Sequence, residues 1–137
     1  MQGSANAATL IGRILMSALF VTSGWGKLTG AAAVQAMFAK QGLPMVEAVW
    51  LLAVAIELGG GLLILVGLLT RPAAFVVAVW CIATALVAHT NFADRMQEIN
   101  FYKNMGLTGG FLYVAVFGAG AWSLDAWWLG RRGAVTA

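Results

Sequence analysis

Two ionisable residues interrupt runs that are otherwise apolar: Glu57, near the middle of the stretch from Met45 to Leu69, and Arg13, inside the first such stretch. A charge at membrane depth costs on the order of 2.5 to 3.5 kcal/mol on insertion scales, so such residues face a partner or a polar cavity and mark function. Their opposite signs predict an intramembrane ion pair. Taken as antiparallel helices, Arg13 lies roughly seven residues and Glu57 about twelve residues in from the same membrane side, a height difference of about 7 Å that an extended guanidinium can span. Arg13, Ser17, Phe20, Gly24 and Lys27 recur at helical steps, and all but Phe20 are polar or small. They define one face, predicted to turn inward.

A second group lies towards the other side of the membrane. Lys27 ends the first apolar run, His89 ends the third, and Lys103 and Asn104 begin the fourth. A lone Lys at such a place snorkels and a lone His is interfacial, but four polar residues from three helices at a similar depth are candidates for a ligand site. Their hydrogen-bonding groups suit a quinone carbonyl or a small oxyanion, with apolar helices holding the rest of the ligand. No haem or iron–sulfur cluster is expected, because one His cannot supply bis-His ligation within a chain and Cys81 is the only cysteine. No metal site is expected either. Cys81, inside an apolar run, reads as a buried thiol. Electron transfer would therefore need the ligand itself or a soluble redox partner.

The elements that must position these residues follow from composition. Hydrophobic residues make up 61% and charged residues 9% of the chain, with mean hydropathy +0.87, too little polar surface to cover a soluble fold. The excess must face a lipid bilayer. The net charge of +3 comes from Lys and Arg scattered between apolar runs, which excludes a nucleic-acid face. Four stretches are long enough to span a bilayer, at about residues 7–26, 45–69, 72–89 and 101–122. The expected fold is all-α, one membrane domain over residues 1–137: an integral membrane four-helix bundle. The first stretch is a span rather than a signal peptide, because the residues before Arg13 are uncharged.

Residues 28–41 and 91–100 carry apolar side chains among polar ones, predicting short interfacial amphipathic helices in the first and third connections. Both fall on one side, which they cap, whereas the other side has the termini and a tight turn at Thr70, Arg71 and Pro72. Trp25, Trp50, Phe101 and Tyr102 at one level and Trp122, Trp127 and Trp128 at the other read as interfacial belts. Trp80, deep in the third run, is the exception, a packed or lipid-facing residue unless it lines a cavity. The Arg131 and Arg132 doublet, with Arg71, competes with Lys27, Lys40, Arg95 and Lys103, and favours cytoplasmic termini. Gly59, Gly60 and Gly61, and the Gly106 and Gly110 pair, supply the close helix approach by which bundles gain contact in lipid.

In combination, Arg13, the segment FVTSGWGKL ending at Lys27 and Leu28, ELGGGLLILVGLLTR from Glu57 to Arg71, His89, KNMGLTGGFL from Lys103 to Leu112 and SLD ending at Asp125 resemble the DoxX family of small bacterial membrane proteins. The resemblance runs from about Ala8 to Asp125. It implies a four-helix protein of the bacterial inner membrane, related to small subunits of thiosulfate:quinone oxidoreductase and to parts of membrane redox complexes. Arg13, Glu57, His89, Lys103 and Asn104 match polar positions of the family. On this view the chain is a component of a quinone-linked oxidoreductase, working with a soluble redox partner, other membrane subunits or a second copy of itself. Two alternatives compete with it: a four-helix small-molecule transporter built around Glu57, and a non-catalytic scaffold subunit whose ion pair fixes helix register. A guanidinium beside Glu57 argues against cation transport, since it would hold the carboxylate ionised and repel the cation.

Overall fold

A computed structural model describes the backbone of residues 2–135 and the side chains of residues 3–130. The Arg131 and Arg132 doublet, on which the orientation argument leans, therefore lies outside the described side chains. The chain is all-helical over the described residues. Its elements are α1 (Gln2–Thr29), α2 (Ala31–Lys40), α3 (Val46–Val54), a π-helical turn (Ala55–Gly60), α4 (Gly61–Val66), α5 (Thr70–Ala88), α6 (Arg95–Phe117) and α7 (Leu124–Val135). Among the described residues, three helices are long and apolar enough to cross a membrane: Gly3–Thr29, Val46–Val66 and Thr70–Ala88. The second of these is α3, the π turn and α4 in one continuous rod.

Local chemistry sets the boundaries. Gly67, at φ 72°, ends α4 in the left-handed region that glycine enters without penalty. Pro72 falls in the first turn of α5, where its missing N–H leaves no bond unmade. Asp94 caps α6, accepting from the Met96 N–H at 2.9 Å. That cap changes the expectation for the third connection. Residues 95–100 do not form a separate interfacial helix but are the opening turns of α6. The amphipathic helix expected in the first connection is present as α2. The fourth stretch also differs at its far end, because Gly118, at φ 82°, stops α6 at Phe117, short of the expected limit at residue 122.

α1 runs antiparallel to the α3–α4 rod, and α6 packs along α5. Phe20, Ile64, Val77, Cys81 and Phe111 form the core, with the Phe20 and Phe111 rings edge to face at 5.1 Å. The inward face expected for α1 is the one observed: Arg13, Ser17, Phe20 and Gly24 are buried and Lys27 is half-buried. Leu15, Leu51, Phe75 and Leu86 are exposed on the outer faces of the three apolar rods, where acyl chains solvate them at no cost.

Gly24 shows why the register between α1 and the second rod is fixed. A Cβ added there would lie 2.4 Å from the backbone nitrogen of Leu58. The two backbones touch, and this contact brings the end of α1 level with the π turn. A π turn holds one extra residue, which shifts the helical phase locally and re-aims the side chains it carries. The residue it delivers to the interior is Glu57, 6% exposed.

Candidate functional site

Glu57 is saturated with donors. Its Oε2 accepts from Lys27 Nζ at 2.7 Å and from Ser23 Oγ at 2.7 Å, and its Oε1 accepts from Trp80 Nε1 at 3.0 Å. Lys27 Nζ also donates to Ser23 Oγ at 2.8 Å, closing a triangle between α1 and the π turn. Ser23 and Lys27 are one helical turn apart, so both reach the same carboxylate. The indole of Trp50 donates to the Lys27 carbonyl at 2.8 Å and holds the end of α1 in place. A carboxylate with three hydrogen bonds and a counter-ion meets the condition for burying a charge.

The expected pairing of Arg13 with Glu57 does not form. Arg13 lies opposite the far end of the second rod, donating to the Ile64 carbonyl at 3.4 Å and also to the Trp122 carbonyl. Since Gly24 meets Leu58, the level of Arg13 falls roughly three turns from Glu57, beyond the reach of the side chain. The expected height difference of about 7 Å was too small because α1 overhangs the second rod, so that Arg13 rather than the start of the apolar run is level with the α4–α5 turn.

There Arg13 belongs to a second polar cluster. Asp125, the second residue of α7, accepts from the backbone N–H groups of Leu69 and Thr70 at 2.8 and 2.9 Å, while its own N–H donates to the Gly67 carbonyl at 2.8 Å. It thus caps α5 from a distant part of the chain, which Leu69 cannot do with its own side chain. Partial burial pushes the Asp125 carboxyl up, but the N–H groups of Thr70 and Leu69 and the charge of Arg13 outweigh it and hold the group below the usual carboxylate range.

The ligand candidates do meet. Lys27, His89, Lys103 and Asn104 line one cavity of about 350 Å³, together with Glu57, Ser23, Trp80 and Gln97. Its apolar walls come from Leu19 and Phe20 of α1 and from Met37 and Phe38 of α2. The Lys27 and Glu57 pair forms one wall of it. An ammonium has three donors and Lys27 uses two, so one N–H is left for a ligand. Asn104 is 9% exposed, and its side-chain amide has no hydrogen bond among the described residues. His89 Nδ1 lies 2.7 Å from Gln97 Oε1. Lys103 is exposed and its Nζ donates to Asn100 Oδ1 at 2.8 Å.

Three residues of this cavity carry signals that the sequence offered only weakly. Ser23 precedes Lys27 by one turn, and Gln97 opens a helix that follows His89 closely. Trp80 is resolved in favour of the cavity, since its N–H finds Glu57. Among the described residues no cluster of His, Cys, Asp and Glu is arranged to hold a metal ion.

The DoxX family model matches residues 8–90, more than half of the chain. The chain is 43% identical over 122 residues to "Inner membrane protein YqjF" of Escherichia coli (strain K12), covering 88% of this chain and 91% of that one. It is also 35% identical over 121 residues to "Inner membrane protein YphA" of the same organism, covering 85% and 86%. No solved structure matches it. With the family model matched over more than half of its length, the chain belongs to the DoxX family.

Proposed function

We propose that this protein is an integral inner membrane subunit that binds a quinone or a small oxyanion in the cavity between α1, α2, α5 and α6, in association with a redox complex. The observation that carries the reading is the convergence of Lys27, Asn104, His89 and Lys103 on one cavity walled by apolar side chains. Donors from Lys27 and Asn104 suit a carbonyl or anionic oxygen, and the walls suit an apolar ring. Glu57 balances the charge of Lys27, so the pair adds no net charge, and Lys103 at the exposed margin gives the site a positive bias. Since the chain is proposed to supply no redox centre of its own, electrons pass through the ligand or a soluble partner.

In the same reading α6 is the fourth rod of a four-helix bundle and the termini are cytoplasmic. Its packing along α5 and the Phe20 and Phe111 contact support the first point. The names of the relatives support the inner membrane. Cation transport is disfavoured because Lys27, rather than Arg13, already occupies Glu57. Titration calorimetry of the nanodisc-embedded protein with decylubiquinone and with thiosulfate tests the site. One of them should bind, and Asn104→Leu should weaken binding about tenfold, the worth of one buried hydrogen bond. Failure of both to bind would sink the reading.

A further inference from the structure

His89 is the only histidine in the chain, and its ring is held by one specific neighbour. The Gln97 carboxamide oxygen lies 2.7 Å from Nδ1, and an amide oxygen can only accept. In the neutral ring this contact selects the Nδ1–H tautomer, which leaves the lone pair on Nε2. A neutral imidazole fixed in this way is a hydrogen-bond acceptor at its second nitrogen. The side chains around it supply opposite chemistry: Lys27 has one uncommitted N–H, and Asn104 has an unengaged amide, 9% exposed. The cavity thus holds donors on Lys27 and Asn104 and an acceptor on His89.

Resting on the reading of this cavity as a ligand site, we infer that its ligand carries a hydroxyl donor for His89 Nε2 as well as an acceptor oxygen for Lys27 and Asn104, and that Gln97 is the positioning residue that sets this preference. A ligand bearing only acceptors sets an oxygen against the Nε2 lone pair, an unfavourable contact. Phenols and protonated acids with an apolar remainder fit. Within the proposed ligand classes, the quinol form of a quinone and a protonated oxyanion fit better than the quinone or the fully deprotonated anion.

Two measurements test this. Ring ¹⁵N NMR on the histidine-labelled protein reads the tautomer of His89 without ambiguity, because no other histidine contributes. The Nδ1–H form should dominate in the parent and in Gln97→Glu, whose carboxylate also accepts from Nδ1–H, and should lose its dominance in Gln97→Leu. A dominant Nε2–H form in the parent overturns the inference. Binding is then compared for octyl 4-hydroxybenzoate and octyl 4-methoxybenzoate, which share a carbonyl and a tail but differ in the donor. The phenol should bind about tenfold tighter, and Gln97→Leu should erase most of that ratio while Gln97→Glu keeps it. Equal affinity for the two esters overturns the donor requirement and leaves the ligand site standing. If neither ester, quinone nor thiosulfate binds, the site itself is refuted, and the inference with it.

Discussion

Lys27 and Glu57 meet at 2.7 Å across two rods, with side chains 20% and 7% exposed. Neither belongs to a regular surface pair: one ends α1 and the other sits in a π turn. Truncating one partner strands a charge away from water, while truncating both removes the need for either. Lys27→Met should destabilise the protein by about 3 kcal/mol, and Glu57→Gln by less, since the amide keeps part of the hydrogen bonding. The double variant should recover much of the loss. Thermal unfolding in detergent, arranged as a double-mutant cycle, reads the coupling, and additive losses would show that the contact contributes nothing.

Gly24 touches the Leu58 backbone so closely that a Cβ would overlap it at 2.4 Å, and a main-chain atom cannot swing aside. Gly24→Ala should therefore force α1 away from the π turn and cost about 2 kcal/mol, in the range of overpacking. Gly26, two residues on, has open space where a Cβ would go, and Gly26→Ala should be close to neutral. Melting temperatures of the two variants, measured side by side, check the contrast. Equal melting temperatures would show that the approach is slack.

Asp125 makes stability depend on acid. Its carboxyl is held below the usual carboxylate range, so its contribution is complete at and above that range and is lost as the pH falls through the lower folded value. Asp125→Ala should cost about 1 kcal/mol at neutral pH, as for a lost helix cap. The gap between the variant and its parent should close in strongly acidic solution. Unfolding curves for both proteins across pH decide this, and a gap that persists after the carboxyl is protonated would assign the effect to packing.

Much of the architecture was legible because lipid imposes simple rules: apolar length revealed three of the rods, and helical steps from Arg13 to Lys27 revealed the buried face of α1. Lys27, His89, Lys103 and Asn104 were also legible as a group, since Lys27 and His89 end apolar runs and Lys103 and Asn104 begin one. The partner of Glu57 was not. Depth counted in residues assumes a uniform helix and rods that end level, and α1 runs past the end of the second rod while a π turn lies within that rod. Arg13 was correctly read as buried but placed with the wrong acceptor, because its partners are main-chain carbonyls, of Ile64 and Trp122, that composition cannot reveal. Asp94 ended the expectation of a separate interfacial helix for a similarly local reason: it caps a longer one.

The bulge at Ala55–Gly60 has a consequence for inheritance. Removing a single codon there would let the rod relax to ordinary α geometry with its two flanks still in phase, since the turn absorbs the extra residue, but would re-aim the side chains inside the turn by up to about 100°. The carboxylate would swing from the ammonium into hydrocarbon, although every residue type in the neighbourhood could be retained. Gaps in this six-residue stretch should therefore be far less tolerated than substitutions on either flank.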